Sequence, residues 1–137
     1  MTGSHVRALV LGGLALVVLA GVATPLLFTA VRQGPARAEE ARQLTGGEPR
    51  EGERLMQHYG CGACHQIPGV PGASGTVGPA LSGLGQRSYL AGKLSNSPEN
   101  LLRWIQFPQQ VVPGNAMPDM NISDEEARHI AAYLYAL

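Results

Sequence analysis

Cys61-Gly62-Ala63-Cys64-His65 is the stretch on which the reading of this chain turns. Two thiols spaced by two residues can add to the two vinyl groups on one edge of a porphyrin, and the next residue then stands beneath the iron. His65 would offer an imidazole nitrogen there as the proximal ligand. A C-x-x-C taken alone also suits a thioredoxin-like redox pair, half of a zinc site, or a structural disulfide. The rest of the chain disfavours all three. A structural zinc wants four ligands at paired spacing, and there is no second C-x-x-C and no H-x₃₋₅-H. A redox pair is expected beside a βαβ pattern, and no convincing strand is evident. With only two cysteines, nothing remains for a disulfide framework. The five residues therefore predict one covalently bound haem c, attached through Cys61 and Cys64.

Working outward, 137 residues, 45% of them hydrophobic, allow one modest domain and one appendage. The appendage is at the front. Residues 8–31 carry no charge and lie between Arg7 and Arg32. As a helix they would run roughly 36 Å against a hydrocarbon core of about 30 Å, which predicts a single transmembrane anchor after a short tail, 1–7. Pro25 would kink such a helix without forbidding it. The competing reading is a cleaved signal peptide, with Leu9 to Leu19 as its apolar centre and Gly21-Val22-Ala23 as the cleavage site. Apolar character resumes after Pro25 with Leu26, Leu27, Phe28 and Val31, which extends the segment beyond a signal centre and favours the anchor. By charge alone, Arg32, Arg37 and Arg42 after the segment outnumber Arg7 before it and would place the large domain in the cytoplasm.

Residues 32–47 turn to Gly, Pro, Ala, Gln and charge, the composition of a partly helical linker, with Ala38 to Leu44 a short helix of thin apolar face. The domain proper is expected at 48–137. From Arg32 onward nine Lys and Arg face ten Asp and Glu, so there is no basic face for nucleic acid and no like-charge run that dictates a partner.

Three helices are predicted in that domain. Pro49 suits a first helical position, and Leu55, Met56 and Tyr59 form an apolar stripe before Gly60. Residues 66–85 are too rich in Gly, Pro, Ser and Thr for regular structure, and suit a loop that wraps a flat cofactor. Ser97-Pro98-Glu99 starts a second helix, with Leu101, Leu102, Trp104, Ile105 and Phe107 on its buried side and Pro108 as its stop. Ser123-Asp124-Glu125-Glu126 is a capping box, after which Ala127, Ile130, Ala131 and Leu134 recur at helical spacing. The fold class is all-α, with a core small enough that the haem supplies missing apolar mass.

The sixth iron ligand decides whether such a haem reacts or only passes electrons. In Pro113-Gly114-Asn115-Ala116-Met117-Pro118-Asp119-Met120 two methionines compete for that place. A thioether is soft, favours ferrous iron, and opposite His raises the reduction potential.

With these motifs placed, residues 48–137 resemble a small mono-haem cytochrome c: C-x-x-C-H early, Gly78-Pro79 in the next loop, M-P after a Pro-rich turn, and a closing helix. S-N-S-P-E-N-L-L-R-W-I, P-G-N-A-M-P-D-M and I-S-D-E-E-A resemble more closely the cytochrome c domain fused to subunit II of some haem-copper oxidases. The resemblance implies Met117 as the ligand, six residues before Ser123 and followed by Pro118, and leaves Met120 as an apolar loop residue near the haem edge. It also implies that the Pro79 carbonyl orients His65, that the Trp104 indole donates to a haem propionate, and that Arg87 pairs with one. His58 and His129 match no ligand position and read as surface or helix-packing residues. The fused subunits carry a dinuclear copper site that needs two further cysteines, which this chain lacks.

The resemblance also places the haem domain on the periplasmic or extracytoplasmic side of the cell membrane, against the charge count. The expected function is single-electron transfer by a membrane-tethered carrier between respiratory or photosynthetic complexes. Its partners would be a quinol-oxidising complex and a terminal oxidase, and it would act on no small-molecule substrate. A fixed haem subunit of a terminal oxidase or nitric oxide reductase is the alternative, for which Gly12, Gly13 and Gly21 offer a face that packs against another helix. A haem enzyme or gas sensor would require a vacant sixth site, which Met117 disfavours.

Overall fold

A computed structural model describes residues 34–137, so the expected tail and anchor at 1–31 lie outside the described residues. Ala36–Leu137 form one compact unit. Among the described residues no helix is long and apolar enough to cross a membrane. The elements are α1 (residues 34–45), α2 (Pro49–His58), α3 (Pro98–Gln106), α4 (Pro108–Val111) and α5 (Asp124–Ala136), with a short hairpin of β1 (Tyr89–Leu90) and β2 (Leu94–Ser95).

Where a partly helical linker is expected, α1 is docked. Ala41 and Thr45, one turn apart, are 1% and 2% exposed, so the thin apolar face suffices to pack. Thr45 Oγ1 donates to the Ala41 carbonyl at 2.7 Å and accepts the Gly47 amide at 3.1 Å, which turns the chain out of the helix. Arg42 grips Glu48 with two parallel bonds of 2.8 and 2.9 Å and holds its carboxyl below the usual carboxylate range. The Glu48 amide then donates to His129 Nδ1 at 2.8 Å, and Arg128 donates to the Thr45 carbonyl at 3.3 Å. The compact unit thus begins twelve residues before the expected boundary at 48. His129 has the helix-packing role expected of it.

α2 and α5 make the main helix crossing, and Gly52 permits it. A Cβ there would stand 2.0 Å from the His129 carbonyl oxygen and 2.9 Å from Tyr133 Cβ. α5 begins as predicted: Ser123 Oγ accepts the Glu126 amide at 3.3 Å while Glu126 accepts the Ser123 amide at 2.9 Å. In α3 the Ser97 hydroxyl accepts the Asn100 amide, and Pro98 occupies the first turn. The core gathers Leu55 and Met56 of α2, Leu101, Leu102 and Ile105 of α3, and Ala127, Ile130, Ala131 and Leu134 of α5. Ile67, Val70, Leu81 and Leu84 join it from the long loop.

The fold is not wholly α. Tyr89 pairs with Ser95 and Leu90 with Leu94 in an antiparallel ladder, turned by Ala91 (φ 49°) and Gly92 (φ 65°). Two residues per strand are too few for an alternation to register in the sequence. Pro108 ends α3 and also opens α4, because a proline that cannot continue one helix fits the first turn of the next. Phe107, expected on the buried side of α3, is 42% exposed because it lies at the junction between these helices.

Candidate haem site

The cavity bounded by the motif, the long loop, the hairpin and the segment after α4 measures about 450 Å³. Cys61, Cys64, His65, Pro79, Arg87, Trp104 and Met117 all line it, so the fold brings every candidate residue to one space. Met120 lines it too, and packs against the core. Most of the remaining wall is apolar.

The motif leaves α2 through Tyr59 and Gly60 and forms a tight 3₁₀ turn, Cys61–Ala63. The Cys61 carbonyl accepts the Cys64 amide at 3.2 Å and the His65 amide at 3.0 Å, which presents both thiols and the ring along the same wall. Both cysteines are free. Burial, with Cys64 beside it, pushes the Cys61 thiol up.

His65 Nδ1 lies 2.8 Å from the Pro79 carbonyl oxygen. A carbonyl only accepts, so Nδ1 carries the proton and Nε2 keeps its lone pair for a metal. Gly78 makes room for the ring: a Cβ there would stand 2.3 Å from His65 Cε1 and 2.6 Å from Nδ1. The Gly78 amide donates to the Cys64 carbonyl at 2.8 Å, which ties this loop to the motif.

Met117 lies opposite in sequence and structure type, on a segment without regular structure. Asn115 Oδ1 accepts the Met117 amide at 2.7 Å, and Gln109 Nε2 donates to the Met117 carbonyl at 2.7 Å. Neither amide is among the site residues expected from the sequence. An Asn two residues before the methionine is a local turn signal. Gln109, eight residues away on a one-turn helix, has no such signal.

Trp104 is half-buried on the cavity wall, and its indole N–H has no partner among the described residues. The Arg87 guanidinium donates to the carbonyls of Ala80 and Ser82, so part of its donor set braces the loop. Asn96 holds the same region by donating to the Leu84 and Arg87 carbonyls, each at 2.8 Å, and accepting the Tyr135 hydroxyl at 2.9 Å.

This wall fits a covalent haem. It carries two free thiols at the right spacing, one imidazole with its distal nitrogen available, and thioether sulfur, around a largely apolar space. The comparisons agree. Residues 47–134 match the family model described as "Cytochrome C oxidase, cbb3-type, subunit III". The chain is 34% identical over 99 residues to "Cytochrome c oxidase subunit 2" of Alkalihalophilus pseudofirmus, covering 72% of this chain and 28% of that one. It is 30% identical over 92 residues to the protein of the same name from Bacillus subtilis, covering 64% and 26%. It is also 34% identical over 101 residues to "Cytochrome c2" of Rhodoblastus acidophilus, covering 64% and 91%. The chain thus spans about a quarter of the length of the oxidase subunits it matches and most of the cytochrome c2. No solved structure matches. The protein carries covalent haem c, and the chain belongs to the cytochrome c family represented by the oxidase subunit III model.

Proposed function

We propose that the protein is a membrane-tethered carrier that passes single electrons between respiratory or photosynthetic complexes, with His65 and Met117 as the residues that would ligate its haem iron. The observation that carries this reading is the shared cavity. On it His65 has Nδ1 committed to Pro79, and Met117 has both backbone polar groups committed elsewhere. When bound, the haem supplies an iron that alternates between ferrous and ferric states.

The residues do the rest. Pro79 fixes the ring plane of His65 and raises the donor strength of Nε2. The Met117 thioether biases the site toward the reduced form. Trp104 would offer its indole N–H, and Arg87 its remaining guanidinium N–H groups, to the haem propionates. The apolar wall excludes water from the iron. Residues 8–31 span the cell membrane once and keep the domain on the extracytoplasmic side, within reach of a quinol-oxidising complex and a terminal oxidase.

The ligand assignment is tested by the sulfur-to-iron absorption band of the ferric protein. Met117→Ala is expected to abolish it, and Met120→Ala to leave it in place. Loss of the band in Met120→Ala alone overturns the assignment.

One observation favours a second reading, a fixed subunit of an oxidase. With α1 docked on the domain, residues 36–47 of the expected linker belong to the compact unit and are not a free tether. Gentle detergent extraction followed by sizing separates the two. Co-migration with a large complex supports the fixed subunit.

A further inference from the structure

We propose that Gln109 and Asn115 are positioning residues that hold the Met117 sulfur against displacement, an inference that rests on Met117 as an axial ligand. The two side chains form one closed bracket around the segment between α4 and Met117. Gln109 Oε1 accepts the Gly114 amide at 3.0 Å, and its Nε2 donates to the carbonyls of Asn115 at 2.9 Å and Met117 at 2.7 Å. Asn115 Oδ1 accepts the Met117 amide at 2.7 Å, and its Nδ2 donates to the carbonyls of Pro108 at 2.9 Å and Val112 at 2.6 Å.

Both amides thus use both N–H donors and the carbonyl acceptor, and no other residue of the segment supplies such links. Asp119 closes the bracket from the far side of Met117, its carboxylate accepting the Gln109 backbone N–H at 3.2 Å. The amide and the carbonyl of Met117 are therefore each held by a separate side chain. Both lead back to α4, whose Pro108 is buried. A thioether is a weak ligand, and a segment free to move would let it leave. The bracket removes that freedom in advance, so ligation does not have to supply the ordering cost of the segment.

The test uses the full-length ferric holoprotein and imidazole, a small nitrogen ligand that competes with the thioether. Gln109→Met keeps the length of the side chain and removes all three bonds. Asn115→Ala removes the other three. Each is expected to raise imidazole affinity roughly tenfold or more, as the loss of one or two hydrogen bonds would, and to weaken the sulfur-to-iron band. Should either variant fail to fold, Gln109→Glu, which keeps the acceptor for Gly114 and loses both donors, and Asn115→Asp, which keeps the acceptor for Met117, are measured in its place with the same expectation.

A bracket that merely supports the fold would lower the denaturant midpoint and leave imidazole affinity alone. Folded variants with the affinity and band of the parent protein therefore overturn the proposal. Met117→Ala separates the two levels of inference. If it keeps the band, the ligand assignment fails; if it loses the band while the amide variants are silent, only the bracket fails.

Discussion

The two sides of the haem cavity are held in place by different means. On the His65 side the chain holds itself by backbone bonds: the Cys61 carbonyl accepts two amides, Gly75 donates to the Gly62 carbonyl, Gly78 to that of Cys64, and Leu81 to that of Gln66. On the Met117 side the backbone is held by side chains, Gln109 and Asn115. A backbone-built wall tolerates most side chains until one takes up space that the backbone needs. A side-chain-built wall is indifferent to bulk at its exposed positions and depends on the chemistry of two amides. Glycine substitutions should therefore do most harm on the first side, and amide substitutions on the second.

The largest effect is expected from Gly78→Ala. A Cβ 2.3 Å from His65 Cε1 is closer than any real contact, and its nearest neighbours are atoms of a ring pinned through Nδ1. The ring must tilt or the Gly78 loop must lift, and either breaks the Pro79 bond that fixes the tautomer. The expected outcome is loss of the parent absorption spectrum in most of the holoprotein and a lowered reduction potential. A parent-like spectrum and potential in Gly78→Ala would show slack on the His65 side and erase the contrast between the walls.

That contrast also divides what the sequence made legible from what it did not. Cys61-Gly62-Ala63-Cys64-His65, the Ser97 cap and the Ser123 capping box work within one or two turns, so each residue names its partner by spacing. The carbonyl of Pro79, fourteen residues from His65, was reached through resemblance rather than spacing. The docking of α1 depends on Glu48 meeting His129, 81 residues away, and no periodicity reports such a pairing. The hairpin at 89–95 was too short to alternate, and Gln109 sits on a helix too short to have a periodic face. What escaped the sequence is what long-range contacts decide.

A smaller effect is expected beneath the His65 wall. Gly52→Ala would place a methyl 2.0 Å from the His129 carbonyl oxygen and force α2, which carries the motif, away from α5. Overpacking of this kind costs about 1–3 kcal/mol, read as a lowered denaturant midpoint. Among the described residues no hydrogen bond links the Met117 bracket to this crossing, so imidazole affinity should stay unchanged. A rise in that affinity would mean that the two walls are mechanically coupled.

The smallest effect concerns the helix start that follows the Met117 segment. The Ser123 hydroxyl and amide, with Tyr59 beyond them, hold the Glu126 carboxyl below its ordinary value near 4.5. A carboxyl whose folded value is depressed adds stability above its unfolded value, and that stability fades as pH falls through the folded one. The capping box should thus be fully effective at neutral pH and weaken as pH drops below about 4.5. Glu126→Gln should lower the denaturant midpoint slightly at pH 7 and progressively less under more acid conditions. A gap that stays constant with pH would assign the stabilisation to the Ser123 hydroxyl alone. Because Ser123 lies six residues after Met117, a variant that also altered imidazole affinity would extend the side-chain-built wall as far as α5.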